Sequence, residues 1–395
     1  MAHTKTLELK RVTTVYAKPD KNSQELGKVG GRTRVEVLET KNGRGCRYRW
    51  RKIAPQGWIC AKTKRTRKAV TTVNFPRLKN GVLPLGRFGR VRKNSGVQLY
   101  SNSMAVQSDT GEAPTRSMSV LRKGVRRIDG KRYWRTSGGN LIESKFIRRY
   151  KASVYKGTAP KAGSSRLTLP VAWARPREKG ASVTVYKAPS SDSEVVTNLP
   201  PKTEIRYLGQ SKDGKFVRIG RNQWVLRTES RIAFSVTPPE EVESDELWID
   251  VNLQEQVLVS YIGKSPIYAT MISSGTRKHR TPPGKYRIER KVAQKTMASG
   301  ERDKEQYSVG GVPWVMYVHK TFALHGTYWH DRMGAPRSHG CINLAPRDAQ
   351  HIYNLVSPQV PAGWISANSS EENPGTLVHF RNDLKPKQSA RIRYN

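Results

Sequence analysis

A β-rich run closed by tyrosine occurs three times in the first half of this 395-residue chain, and it dictates a modular, mainly β architecture. The copies start at Val15-Tyr16-Ala17-Lys18-Pro19, Leu99-Tyr100-Ser101 and Val185-Tyr186-Lys187-Ala188-Pro189, with the tyrosines 84 and 86 residues apart. Each continues with a second strand-like segment, at Tyr48–Ile53, Tyr133–Thr136 and Phe216–Ile219, and a third, at Gly57–Cys60, Asn140–Ile142 and Gln223–Leu226. Short strands separated by turns such as Asp129-Gly130 and Asp213-Gly214 build small antiparallel barrels.

These copies resemble the bacterial SH3-like modules attached to wall enzymes, with the middle copy the weakest match. The expected modules span 8–64, 82–150 and 167–236, separated by stretches rich in Lys, Arg, Ser, Thr and Gly at Lys62–Lys79 and Lys151–Arg166. Prolines and an acidic run over 237–245 mark a linker. Beyond it, Leu247–Val251, Gln256–Tyr261 and Ile267–Ser273 read as strands, and Thr281-Pro282-Pro283-Gly284 as a turn into another. This places a β-rich domain with a few short helices at 246–366 and a polar, basic tail at 367–395.

Net charge separates the two halves. Of the +41 total, residues 1–244 carry 52 Lys+Arg against 18 Asp+Glu, whereas residues 245–366 carry 15 against 10. The basic character belongs to the repeats and predicts salt-sensitive attraction to a polyanion: nucleic acid, lipid headgroups or acidic envelope polymers. No run of about 18 apolar residues is present, so no transmembrane helix is expected. Met1–Lys5 lacks the apolar core of a secretory signal, which leaves a processed chain or an intracellular protein.

Cys46 and Cys60 lie near each other and Cys341 stands far away, so in an oxidising compartment the first two could pair and leave Cys341 as a nucleophile; three thiols is the alternative. Seven of the eight histidines fall between His279 and His379, the region that holds Cys341. His339 and Cys341 are two apart, on one face of an extended segment, with Gly340 between them. Pro346 suits a first helical turn, and Ala349, Ile352, Tyr353 and Val356 mark an apolar helical face. A cysteine nucleophile needs a base, for which His325, His330 and His339 are candidates. Zinc would call for a second Cys or an acidic ligand at regular spacing, so no metal and no cofactor is expected.

His325-Gly326-Thr327 and Ser338-His339-Gly340-Cys341-Ile342-Asn343, preceded by Pro313-Trp314-Val315-Met316, resemble the signature of YkuD-type L,D-transpeptidases. The resemblance implies Cys341 as nucleophile, His325 as its base with its other nitrogen on the Gly326 carbonyl, and His339 beside the thiol. It implies an oxyanion hole from the Cys341 N–H with that of Gly340 or His339, and a substrate surface that includes Ser338, Asn343, Trp314 and Thr327. Trp314 and Trp329 read equally as substrate wall or core. Lys295–Gly311 reads as a lid or a surface loop. The implied activity is 3-3 crosslinking of peptidoglycan stem peptides through a cysteine thioester, in the periplasm or cell envelope. L,D-carboxypeptidase action and non-catalytic wall or polyanion binding are the alternatives. Aromatics interleaved with Lys and Arg at Tyr48–Lys52 and Lys131–Arg135 also raise nucleic-acid binding, the less favoured reading.

Overall fold

The computed structural model describes residues 6–75, 87–92, 96–151, 153–300 and 306–382, which are mainly β with two α-helices. In the first copy β1 (Thr6–Leu9), β2 (Thr13–Tyr16), β3 (Glu25–Val29), β4 (Arg34–Lys41), β5 (Trp50–Ile53), β6 (Trp58–Ile59) and β7 (Thr63–Thr66) pair antiparallel. Alternation along these short strands turns Leu9, Val15, Val35, Ile53 and Ile59 into one small core. The first spacer, expected to begin at Lys62, is instead structured at its start, because β7 pairs with β1. Cys46 and Cys60 form a disulfide in this copy.

The second copy holds β8 (Arg87–Val91), α1 (Ser103–Gln107), β9 (Ser117–Ile128), β10 (Lys131–Thr136), β11 (Leu141–Glu143) and β12 (Ile147–Arg149), around Val91, Val120, Trp134 and Ile142. Asp129 and Gly130, at φ 46° and 74°, make the tight turn between β9 and β10. The third copy holds β13 (Val171–Ala174), β14 (Val183–Tyr186), β15 (Val195–Leu199), β16 (Glu204–Ile205), β17 (Phe216–Gly220), β18 (Gln223–Leu226) and β19 (Ser230–Ala233), around Val183, Val185, Val217, Val225 and Ile232.

The repeated tyrosines occupy matching places. Tyr16 pairs with Trp58 and Tyr186 with Trp224, each after a register shift at the preceding valine, while Tyr100 bridges to Leu141. Each ring meets an aromatic of the second segment edge-on: Tyr16 with Trp50, Tyr100 with Tyr133 and Tyr186 with Phe216, at 5.5, 6.1 and 6.0 Å. The repetition in sequence is therefore a repetition of contacts.

The rest of the chain supplies β20 (Leu247–Asn252), β21 (Val257–Ile262), β22 (Ser265–Met271), β23 (Gly284–Arg287), β24 (Arg290–Ala298), β25 (Tyr307–His319), β26 (Phe322–Gly326), β27 (Ile342–Leu344), α2 (Pro346–Leu355), β28 (Trp364–Asn368) and β29 (Leu377–Arg381). The helix appears where Pro346 and the apolar spacing place it, with Ala349, Ile352 and Tyr353 buried.

By backbone contacts the chain divides into two compact units. The first comprises 1–154, 288–331 and 345–375; the second comprises 155–287, 332–344 and 376–395. The continuous domain expected at 246–366 is thus shared between both. In the first unit β28 pairs antiparallel with β3 and with β24, and β25 runs parallel to β9, so module strands extend the hydrogen bonding of the later segments. Trp364 on β28 completes the core of the first copy, and a Cβ on Gly27 would lie 2.3 Å from the Ser366 carbonyl, which is why the strands can approach so closely. β24 and β25 form a hairpin, pairing Lys295 with Val312 and Met297 with Val309. Much of the stretch expected as a lid or loop is consequently strand; residues 301–305 lie outside the described residues.

The second unit contains a five-stranded sheet ordered β22-β21-β20-β29-β23. Its β29 corrects the expected tail: the polar turn at 369–375 is followed by a strand parallel to β20, because Leu377, Val378 and Phe380 supply buried apolar side chains. The basic stretch Leu384–Asn395 lies outside the described residues. Glu255 accepts from Ile232 N at 3.2 Å and pairs with Arg227, linking the third copy to this sheet. Among the described residues no helix is long and apolar enough to cross a membrane.

Candidate active site

The histidine half of the expected site is built in the first unit. His325 lies on β26 with 3% exposure, and its Nδ1 is 3.3 Å from the Gly326 carbonyl. A carbonyl only accepts, so this contact favours the tautomer with the proton on Nδ1 and the lone pair on Nε2. Burial lowers its pKa to about 4, against the opposing pull of the Gly326 carbonyl, so the ring is a neutral base at ordinary pH. Trp329 sits 5.7 Å from the imidazole.

Behind it, Tyr328 is stacked on Phe88 of the second copy at 3.7 Å, and its hydroxyl donates to the Gly310 carbonyl at 2.7 Å. Leu121, Tyr150 and Val309 pack in the same cluster. The segment carrying His325 is thereby backed by residues from β8, β9 and β25. Two of the expected substrate contacts belong to this interior. Trp314 is 2% exposed and Thr327 wholly buried, so Trp314 is core and neither offers a surface to a substrate. The apolar setting accounts for Trp314; the sequence left wall and core equally open because tryptophan serves both.

Lys291, which the sequence did not single out, is also buried. Its Nζ donates to the Tyr353 and Val356 carbonyls at 2.5 and 2.6 Å, satisfying acceptors at the C-terminal end of α2. Burial pulls the amine down to about 7.

The cysteine half lies in the second unit, in a loop closed by its own hydrogen bonds. Ser338 Oγ donates to the Cys341 carbonyl at 2.5 Å and accepts from the Gly340 N–H at 3.0 Å. Thr281 Oγ1 donates to the Gly340 carbonyl at 2.7 Å and accepts from the Gly275 N–H at 3.0 Å. Gly340 adopts φ +115°, which side-chain-bearing residues rarely take, and a Cβ on Gly275 would lie 2.0 Å from the His279 carbonyl. Cys341 leaves this loop partly exposed and outside any disulfide. His339 stacks against His279, ring centroids 4.4 Å apart.

This arrangement alters three expected roles. The Ser338 hydroxyl serves the loop rather than a substrate. The Gly340 N–H is committed to Ser338, so it does not join an oxyanion hole in this geometry. Asn343 is 2% exposed, with its backbone paired in both directions to Ser273, and has little surface for a substrate. Thr281 was visible in sequence only as part of a turn and His279 only as one of the clustered histidines, because their partners are some 60 residues away. Among the described residues no three His, Cys, Asp or Glu side chains converge as metal ligands do.

Comparison with known proteins places this region. Residues 246–379 match the family model of the L,D-transpeptidase catalytic domain, YkuD. The candidate L,D-transpeptidase YciB of Bacillus subtilis (strain 168) is 29% identical over 130 residues, covering 29% of this chain and 64% of that protein; the chain spans less than two thirds of that relative. The solved catalytic domain of an L,D-transpeptidase from Enterococcus faecium is 23% identical, covers 35% of this chain and 98% of its own, and has a TM-score of 0.28. An L,D-transpeptidase from Mycobacterium smegmatis is 18% identical, covering 45% and 82%, with a TM-score of 0.29. The match extends past residue 366 to 379, into the strand that the tail was expected to replace. Residues 246–379 are therefore a YkuD L,D-transpeptidase catalytic domain.

Proposed function

We propose that this chain is a peptidoglycan L,D-transpeptidase of the cell envelope, with Cys341 as nucleophile and His325 as base. The observation that carries the reading is the clamped loop Ser338–Cys341, which presents a partly exposed thiol within the family-matched domain. The neutral His325 tautomer supports it, since the lone pair on Nε2 can take the thiol proton. The thiolate then attacks the carbonyl at the L-centre of the diamino acid in a stem tetrapeptide. The C–N bond to the terminal D-alanine breaks, His325 returns the proton to the departing amine, and a thioester remains. A side-chain amine from a second stem attacks that thioester, His325 takes the amine proton, and the C–S bond breaks to expel the thiolate, which yields a 3-3 crosslink. His339 lines the thiol, and its N–H with that of Cys341 stabilises the oxyanion.

Mass spectrometry of muropeptides incubated with wild type and Cys341→Ala tests this. Wild type yields 3-3 dimers and free D-alanine, and the variant yields neither. D-alanine release without dimers would establish L,D-carboxypeptidase action instead, with water resolving the thioester. Neither product from the wild type would sink the enzyme reading.

A further inference from the structure

The first repeat copy carries a half-open cavity of about 620 Å³ that the cysteine chemistry does not use. Four cationic side chains line it, Lys10, Arg11, Lys21 and Lys62, together with the rings of Tyr16 and Tyr48, and its lining includes no Asp or Glu. The four cations are exposed, and among the described residues none is ion-paired to a carboxylate. Their placement follows from the fold. Lys10 and Arg11 sit in the turn between β1 and β2, Lys21 follows β2, and Lys62 follows β6. Tyr48 is 44% exposed and lies on the segment that the Cys46–Cys60 disulfide ties to the end of β6, two residues before Lys62. Tyr16 is held edge-on by Trp50.

The volume lies in the usual range for a small-ligand site, roughly 300–1,000 Å³. An anion answers the cations, and an amphipathic tyrosine offers a flat apolar face beside a hydroxyl. A free phosphate would use the charges and leave the rings idle; a neutral sugar would do the reverse. We propose that this cavity binds an acidic saccharide, a sugar ring bearing carboxylate or phosphate, as a unit of an envelope polymer. The site holds the chain to its surroundings through a module distinct from the thiol chemistry.

Calorimetric titration of the full chain with trigalacturonate, N-acetylglucosamine 6-phosphate, chitotriose, tripolyphosphate and a short single-stranded DNA tests the assignment. At least one acidic sugar binds, and chitotriose binds about tenfold more weakly or not at all; which acidic sugar is preferred distinguishes carboxylate from phosphate. Lys10→Gln with Lys62→Gln weakens the acidic sugar about tenfold, and Tyr48→Ala weakens it while leaving tripolyphosphate binding unchanged. All three positions are exposed, and unchanged thermal melting confirms an intact fold. Failure of both acidic sugars to bind overturns the proposal. So does tripolyphosphate or DNA binding as tightly as the sugars with no effect of Tyr48→Ala, which would mark a site that reads charge alone. Muropeptide turnover remains at the wild-type level in these variants, so this result and the transpeptidase test stand or fall separately.

Discussion

Arg381→Met probes the strand that sequence assigned to a tail. Arg381 on β29 donates through Nε to Asp250 Oδ1 on β20 at 2.7 Å, with the side chains 10% and 1% exposed. At an effective dielectric near 20, the bare attraction at that separation is about 6 kcal/mol, much of it offset by desolvation of both ions. Methionine keeps the aliphatic stem and deletes the charge, leaving a carboxylate buried in the sheet, a change that costs about 3–5 kcal/mol. Protonation is the escape: an ordinary carboxyl with pKa ~3.9 costs about 4 kcal/mol to protonate at pH 7, which caps the loss near that value. The cap falls by about 1.4 kcal/mol per pH unit, to about 2 kcal/mol at pH 5.5. His379 Nδ1 lies 3.9 Å from the same oxygen. Urea unfolding followed by fluorescence of Trp248, which stacks on Tyr261 beside Asp250, reads the change. The expected loss is about 3–4 kcal/mol at pH 7, about half of it gone at pH 5.5, and mostly restored by adding Asp250→Asn. A loss under about 1 kcal/mol at pH 7, or one independent of pH, would refute the buried-pair argument.

The His325 ring is expected to titrate near 4 in an NMR pH series, and because its folded pKa lies below the unfolded value near 6.5, its stabilising contribution is complete above that value and is lost as pH falls toward 4; a midpoint at 6.5 contradicts its burial. Phe88→Ala removes the ring stacked on Tyr328 and costs about 3–5 kcal/mol in the first unit, measured by denaturant melting, whereas a loss below 1 kcal/mol shows that the stack is dispensable. Reducing the Cys46–Cys60 bond, which closes a loop of sequence separation 14, lowers stability of the first copy by about 3 kcal/mol in hydrogen exchange, and unchanged protection after reduction counts against that.

Local chemistry was legible because it is short-range. The Tyr-aromatic pairing of each repeat, the turn at Asp129-Gly130, the helix opened by Pro346 and the motif around Cys341 all arise within a few dozen residues or repeat in register, so their pattern survives in one dimension. The roles of Ser338, Trp314, Thr327 and Asn343 were less legible, since burial depends on what packs over a side chain. Polar stretches misled for the same reason: β7 is a strand because β1 offers a partner although its own composition resembles that of a spacer, and the short apolar run of β29, set among polar residues, is a strand because β20 lies beside it.

The sequence by itself determined a mainly β chain, a concentration of positive charge in its first 244 residues, and a cysteine–histidine region of a recognisable family. Only the tertiary structure decided that β3 and β9 extend the strands of that domain, that Phe88 backs the segment bearing His325, and that Thr281 and Ser338 fix the loop of Cys341. Hydrogen bonds between strands and contacts between rings are satisfied by any partner of suitable geometry. Their identity is therefore settled by the folded path of the chain, across hundreds of residues, and leaves no periodic trace in sequence.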